Sequence, residues 1–207
     1  MTTVVEFVLG SSDVAWRSVG FAVNDSGTVQ VGGIRCRFDG NTSTPGIASW
    51  ALADANNRSA TSIDGLATSH LGAPDAITVT PTHPNGVVGI DHVVVNTPDL
   101  ERTCSAMTAA TGAPLKRVRE VGALRQGFHR LGELIVEVVT FPGISPGDAS
   151  FWGLALNVSD IDAMFDTYGP DVLSPPKDAV QQGRRISSFR EQVGLGLPVA
   201  LMTSQPR

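Results

Sequence analysis

Two polar side chains interrupt apolar stretches of the sequence, and both carry groups that could do chemistry. His92 stands between Ile90 and Val94 in one apolar run, and Glu137 stands at the centre of a later one. Side chains alternate along a strand, so the pattern predicts that Ile90, His92 and Val94 share one face. A buried carboxylate is costly without a partner, so Glu137 needs a metal ion, a hydrogen-bonding partner or solvent. An imidazole and a carboxylate together suit a divalent Zn, Fe, Mn, Ni or Co ion, and these alternatives stay open here.

A second group of residues could bind a small molecule. Arg125 and Arg184 lie in extended segments bounded by glycines, and a guanidinium can hold an anionic substrate through two hydrogen bonds. The other interpretation is a salt bridge on the sheet surface. Strand alternation sends Arg184 and Arg185 to opposite faces, so at most one of them points into a site. Trp152 could supply a stacking wall for an aromatic compound.

The elements that must position these residues form an internal repeat. Segments 90–101 and 151–162 match at one constant offset, which sets Asp99 against Asp160. β-Branched and aliphatic residues predict a strand in each copy, and the polar residues after it predict the capped start of a helix. Acidic residues in the first turn complement the positive end of the helix dipole.

Each copy ends in a further apolar strand, which predicts paired βαβββ modules over 87–143 and 149–205. A fainter copy of the same pattern covers 1–60, and an unrelated β-rich lid is the alternative for this region. The segment 61–86 contains three prolines and is predicted to be a linker. The predicted class is α+β, with tandem modules, a cupped mixed β-sheet and flanking helices.

The central segment resembles a known family. The run 89–95, followed by 97–100 and by Glu137 in a later strand, is similar to the first module of a glyoxalase-like domain. Such domains belong to the vicinal-oxygen-chelate superfamily of glyoxalase I, bleomycin-resistance proteins and extradiol dioxygenases. The resemblance covers 88–204 and extends loosely to 4–54. It implies that two modules place their sheets side by side to form a cup.

The resemblance also implies a site. His92 and Glu137 would be metal ligands on the first and last strands of the module, with Glu137 also acting in catalysis. Their equivalents in the second module are Gly153 and Ala200, which cannot bind a metal. Glu6 could be a further ligand, or an ordinary solvent-facing strand residue. The resemblance therefore implies either a metal-dependent lyase, isomerase or dioxygenase, or a metal-free binding protein of the bleomycin-resistance type.

The composition limits the partners that we expect. The 207 residues carry a net charge of −5 without a basic patch, which argues against nucleic acid as a partner. The resemblance implies a small-molecule substrate or ligand instead. The start of the chain lacks the features of a secretory signal, and no apolar run is long enough to cross a membrane, so a cytoplasmic location is expected. An odd number of modules would leave one cup half paired, which suggests a homodimer or a capping role for the first third.

Overall fold

The chain folds into two mixed β-sheets with short flanking helices. The computed structural model describes residues 1–40, 45–54, 60–72 and 82–204. In this part of the chain, the N-terminal sheet has the strand order β2-β3-β1-β4-β6-β5, and helix α1 follows β1. The elements are β1 Thr2–Leu9, α1 Val14–Ser18, β2 Thr28–Val31, β3 Ile34–Phe38, β4 Ile47–Asp54, β5 Ser62–Ile63 and β6 Leu66–His70.

The C-terminal sheet has the strand order β12-β13-β14-β11-β7-β10-β9-β8. Its elements are β7 Val87–Asn96, α2 Leu100–Thr111, β8 Arg117–Val121, β9 Leu124–Leu131, β10 Leu134–Thr140, β11 Ser150–Val158, α3 Ile161–Tyr168, β12 Lys177–Asp178, β13 Arg185–Ser188 and β14 Val199–Thr203. A 3-10 turn, Glu191–Val193, precedes β14. The predicted α+β class with repeated strand–helix modules is confirmed.

The helices begin where the sequence predicts caps. The Asp99 carboxylate accepts a hydrogen bond from the backbone N–H of Arg102, and Asp160 does the same for Asp162 and Ala163. These bonds satisfy N–H groups that have no partner inside the helix. Helix α2 ends at Gly112, whose φ of 72° is the left-handed conformation that glycine adopts readily. Among the described residues, no helix has the length and apolar character needed to cross a membrane.

The C-terminal sheet joins two modules about its centre. Strand β7 runs parallel to β10, β11 runs parallel to β14, and β7 and β11 pair antiparallel. Helix α2 packs closely against one face of the sheet. A Cβ added to Gly127 of β9 would lie only 2.7 Å from the Sγ of Cys104 in this helix. Val93 and Val136 are fully buried, whereas His92 and Ile135 keep some exposure on the opposite face. We call this opposite face the C-terminal open face.

The N-terminal sheet repeats this pairing in reduced form. Strand β1 is parallel to β3, β4 is parallel to β6, and β1 and β4 pair antiparallel. The structure therefore differs from the expected single module at 1–60, because β4 opens a second strand set instead of closing the first. Strands β5 and β6 complete that set from within 61–86, where a linker was predicted; residues 73–81 of this segment lie outside the described residues.

The pairing of β4 with its neighbours could not be predicted from the sequence pattern. Alternating apolar residues identify a strand but do not tell whether its neighbour runs parallel or antiparallel. In the described part of the chain, each of the two sheets consists of two strand sets, so the number of sets is even. A homodimer was expected because one module would have had no partner in its own chain, and that reason no longer holds. The domain boundaries drawn from the sequence stay predictions.

Candidate functional site

His92 and Glu137 meet on the C-terminal open face. In the parallel pairing of β7 and β10, His92 lies beside Ile135 and Val94 lies beside Glu137, so the two polar residues are diagonal neighbours. The Nε2 atom of His92 is 3.4 Å from Oε2 of Glu137, and each side chain is 14% exposed. The structure thus brings together the two residues that the sequence singled out.

A β-bulge adds Asp91 to this pair. Ile90 pairs with Leu156 and His92 pairs with Ala155, so Asp91 is an extra residue on β7 with no partner on β11. A bulge breaks the alternation of side chains, and Asp91 and His92 both point to the open face. Oδ2 of Asp91 accepts a hydrogen bond from Nδ1 of His92 at 2.8 Å. The predicted alternation was wrong for Ile90, which packs in the buried core instead.

Arg184 completes the support of Asp91. Its Nη2 atom donates to Oδ1 of Asp91 and to Oδ1 of Asn157, both at 2.8 Å, and its Nε donates to the backbone oxygen of Thr203 at 2.7 Å. The side chain is only 2% exposed. Nε and Nη2 of the guanidinium therefore bind protein groups, among them Asp91, and the substrate-binding role suggested by the sequence stays a prediction.

The pKa of Asp91 records these contacts. Burial alone would raise it, but the hydrogen bonds from His92 and Arg184, together with the charge of Arg184, outweigh burial and lower the pKa to about 2. Asp91 is therefore ionised at neutral pH and acts as an acceptor. Since a carboxylate only accepts, Nδ1 of His92 carries the proton of this hydrogen bond.

Gln126 holds the other end of the row. Its side-chain Nε2 donates a short hydrogen bond to Oε1 of Glu137. Its Oε1 atom is buried and has no hydrogen-bond partner in the described part of the chain. A continuous row of side chains therefore crosses the open face: Arg184, Asp91, His92, Glu137 and Gln126.

The middle of this row is a place where a positive charge would be stabilised. With the Nδ1 proton of His92 directed at Asp91, the lone pair of Nε2 faces the Glu137 carboxylate across 3.4 Å. Two acceptors at this distance repel each other unless a positive charge lies between them. A proton shared by the two groups, or a metal ion bound by both side chains, would remove this repulsion.

The two donor atoms fit a metal ion at two coordination positions. Two atoms bound tetrahedrally at about 2.1 Å lie about 3.4 Å from each other, which matches the separation of Nε2 and Oε2. A metal-binding histidine usually donates its other N–H to a carboxylate, as His92 does to Asp91. The buried amide oxygen of Gln126 is a further hard donor on the neighbouring strand.

The second module supplies no ligand at the equivalent positions. Glu137 lies beside Val94, two residues after His92. In the same way, Ala200 lies beside Ala155, two residues after Gly153. The register thus supports the equivalence expected from the sequence. No group of three or more His, Cys, Asp or Glu side chains in 1–40, 45–54, 60–72 and 82–204 is arranged to hold a metal ion. Further ligands would have to be of another kind, such as the Gln126 amide oxygen, water or a bound molecule.

The remaining residues singled out from the sequence lie elsewhere. Arg125 pairs with Glu101 of α2 at 2.6 Å and with Glu120 of β8 at 3.0 Å, away from the open face. The structure does not bring it to His92, because it falls on the same side of β9 as Gly127, which packs against α2. Phe151 and Gly153 of β11 pair with consecutive residues of β7, so Trp152 between them is an extra residue without a partner on β7. Its side chain is 51% exposed.

Comparison with solved structures defines the class of fold. No family model and no curated protein matches the chain. A triple mutant of 4-hydroxymandelate synthase from Streptomyces coelicolor is similar with a TM-score of 0.66 and 14% identity, over 99% of this chain and 93% of that one. The chain has the vicinal-oxygen-chelate fold.

A second solved structure is similar over a shorter part of the chain. It is methylmalonyl-CoA epimerase from Mycobacterium tuberculosis, with a TM-score of 0.51 and 18% identity over 64% of this chain and 97% of that one. At these identities the likeness concerns the fold. The 4-hydroxymandelate synthase spans both sheets described above, whereas the epimerase corresponds to about two thirds of the chain.

Proposed function

We propose that the C-terminal open face is the active site of an enzyme that binds a small molecule through two adjacent oxygen atoms. A divalent Zn, Fe, Mn, Ni or Co ion would be held by Nε2 of His92 and Oε2 of Glu137. The observation that carries this proposal is the 3.4 Å approach of these two atoms, with the opposite ring nitrogen fixed by Asp91. The reaction would be of the lyase, isomerase or dioxygenase type, and the names of the two similar structures, an epimerase and a synthase, support an enzyme.

The side chains of the row have separable tasks. A bound metal ion would act as a Lewis acid and stabilise negative charge on a substrate oxygen. Asp91 fixes the ring of His92, and Arg184 keeps Asp91 ionised. Asp91 itself is a poor base at neutral pH, because its pKa is about 2 and both of its oxygens accept hydrogen bonds.

Glu137 is the proton acceptor that this arrangement favours. Gln126 binds only its Oε1 atom, so Oε2 is the atom directed at the centre of the site. A carboxylate in this place can take a proton from a carbon next to a substrate carbonyl. Glu137 would therefore either hold the metal ion through Oε2 or, with Oε2 not bound to a metal, take the proton.

Two observations favour a second candidate function, a metal-free binding protein. Gly153 and Ala200 leave the second module without ligands, and Trp152 exposes an indole that an aromatic compound could stack on. In this case His92 and Glu137 would share a proton instead of a metal ion. The row would then contribute hydrogen bonds to a sequestered molecule.

Metal analysis separates the two candidates. Protein purified without an affinity tag is analysed for bound metal and titrated with Zn, Co and Ni by calorimetry. We expect about one equivalent per chain, and at least about a tenfold loss of affinity in His92→Gln and Glu137→Gln. Glu133→Gln, which alters a fully exposed carboxylate, serves as the matched control. Less than about a tenth of an equivalent, with none taken up on titration, would remove the metal mechanism and leave the binding protein.

A further inference from the structure

The N-terminal sheet contains a bulge at the position that Asp91 occupies in the C-terminal sheet. Val4 pairs with Leu52 and Glu6 pairs with Ala51, so Val5 is an extra residue on β1. Aligning the two bulges places Glu6 at the position of His92. The structure thereby supports the equivalence of these residues that the sequence suggested only weakly.

The parallel partner strand carries two arginines at the neighbouring positions. Glu6 lies beside Arg35 and Val8 lies beside Arg37, just as His92 lies beside Ile135 and Val94 beside Glu137. Arg37 therefore takes the place of Glu137. The positions of His92 and Glu137 are therefore occupied in this sheet by Glu6 and Arg37, and Arg35 lies beside Glu6 at the position of Ile135.

These three side chains form an ionic cluster. Oε2 of Glu6 is 2.5 Å from Nε of Arg35, and its Oε1 is 3.6 Å from Nε of Arg37. Glu6 is almost buried, with 9% of its side chain exposed, whereas the side chains of Arg35 and Arg37 are 48% and 45% exposed. Both contacts use the inner nitrogen Nε, so the terminal Nη groups, which carry four of the five N–H donors, are not used by Glu6.

The cluster opens into a cavity of about 730 Å³. Polar side chains from β2 and the segment before it line the cavity together with two apolar residues. The polar residues include Thr28 and Gln30, which pair with Arg37 and Arg35 across the sheet, and the apolar ones are Ala22 and Leu71. The volume is within the range of small-molecule sites, and the mostly polar lining suits a charged or polar ligand better than an apolar one.

We propose that this cavity is a second binding site, for a small organic anion whose carboxylate or phosphate group lies between Arg35 and Arg37. The two guanidinium groups and the one carboxylate of the cluster sum to one positive charge. Glu6 binds the inner edge of Arg35 through a hydrogen bond, which restrains that guanidinium before a ligand arrives, and lies 3.6 Å from the inner edge of Arg37. The outer edges of both groups match the two-pronged hydrogen bonding of a carboxylate or phosphate. This site lies in the other half of the molecule from the proposed active site and does not depend on a metal ion.

Residue-resolved NMR titration tests the proposal. Inorganic phosphate and acetate are added in separate titrations at constant ionic strength, and backbone amide shifts are followed. We expect saturable shifts at Thr28, Gln30, Arg35 and Arg37 with at least one of the two anions, and the anion that gives them identifies the preferred group. In the double variant Arg35→Gln/Arg37→Gln the half-saturation concentration should rise by about tenfold or more.

Arg185→Gln is the matched control, because Arg185 is also a partly exposed arginine paired with a carboxylate, Asp162. It should bind the anion as the unaltered protein does. If the double variant does not fold, Arg37→Gln alone gives the same test, since it removes the looser contact and leaves Glu6 paired with Arg35. Shifts that are absent with both anions, or that persist unchanged in the folded variants, would overturn the proposal.

Discussion

Gly153 packs directly against the backbone of Pro198: a Cβ added to Gly153 would lie 2.5 Å from the Pro198 carbonyl oxygen. The position equivalent to His92 in the second module therefore has no room for any side chain. Because β11 lies so close to the residue before β14 at this point, a single substitution at Gly153 cannot introduce a metal ligand there.

The first prediction follows from this contact. Gly153→Ala should lower the free energy of unfolding by about 1–3 kcal/mol, because the new methyl group meets backbone that cannot move aside easily. Denaturant unfolding measures the change. Gly33→Ala is the control, since a Cβ there meets nothing within 4 Å, and it should change stability by less than about 0.5 kcal/mol. Equal effects of the two substitutions would show that the contact with Pro198 is not tight.

The second prediction concerns the buried ion pair at the end of the row. Arg184→Met leaves the Asp91 carboxylate without its charged partner and should cost about 3–5 kcal/mol of stability. Arg185→Met, which breaks a partly exposed pair with Asp162, should cost no more than about 1 kcal/mol. Chemical denaturation of both variants gives the comparison. A small effect of Arg184→Met would mean that water reaches Asp91.

The third prediction tests the support of His92 by Asp91. If the proposed metal site is correct, Asp91→Asn should weaken metal binding by about 10–100-fold, because the amide cannot accept as strong a hydrogen bond from Nδ1. Calorimetric titration with Zn gives the affinity, and a pH series shows whether the imidazole now changes its protonation with binding. Unaltered affinity would assign Asp91 a purely structural role with Arg184.

The fourth prediction is a pH dependence of stability from His129, a residue on the buried side of β9. Its Nδ1 donates to the backbone oxygen of Ala113 at 3.1 Å, and its Nε2 is buried without a partner among the described residues. Burial lowers its pKa below 6.5, and the hydrogen bond to Ala113 offsets only part of this effect. As the pH falls below about 6.5 the unfolded state binds the proton first, so the free energy of unfolding decreases.

His129→Asn isolates this contribution, because asparagine keeps an N–H donor for Ala113 and does not titrate. The slope of stability against pH should become shallower by up to about 1.4 kcal/mol per pH unit in acid. Part of the slope should remain, since burial also lowers the pKa of His83. An identical slope in the variant and the unaltered protein would show that His129 is not held neutral by the fold.

The sequence was sufficient for the class of fold and for the pair His92 and Glu137. Both residues stand out because they interrupt apolar strands whose order resembles a known module. Asp91 was missed because regular alternation assigns it to the face opposite His92, and a bulge is defined only by the pairing with the next strand. The adjacent acid and histidine in an otherwise apolar strand were the available signal.

The arginines were harder to assign for a related reason. Arg125 lies on β9, whose face depends on which of its residues α2 covers, and Arg184 lies directly before β13, where strand alternation does not apply. Arg35 and Arg37 gained significance only from the parallel pairing of β3 with β1. Such pairing joins segments far apart in the chain, and the local pattern of either strand does not encode it.

The extra residues Val5 and Asp91 make the length of the central strands as important as their composition. Deleting either residue would restore strict alternation and exchange inward and outward side chains along one end of the strand. Glu6 and His92 keep their place only while each strand retains its additional residue. Alignments of distant relatives should therefore penalise gaps at these two points more heavily than in the loops. A relative that lacks one of these residues should present different side chains on that face of the sheet.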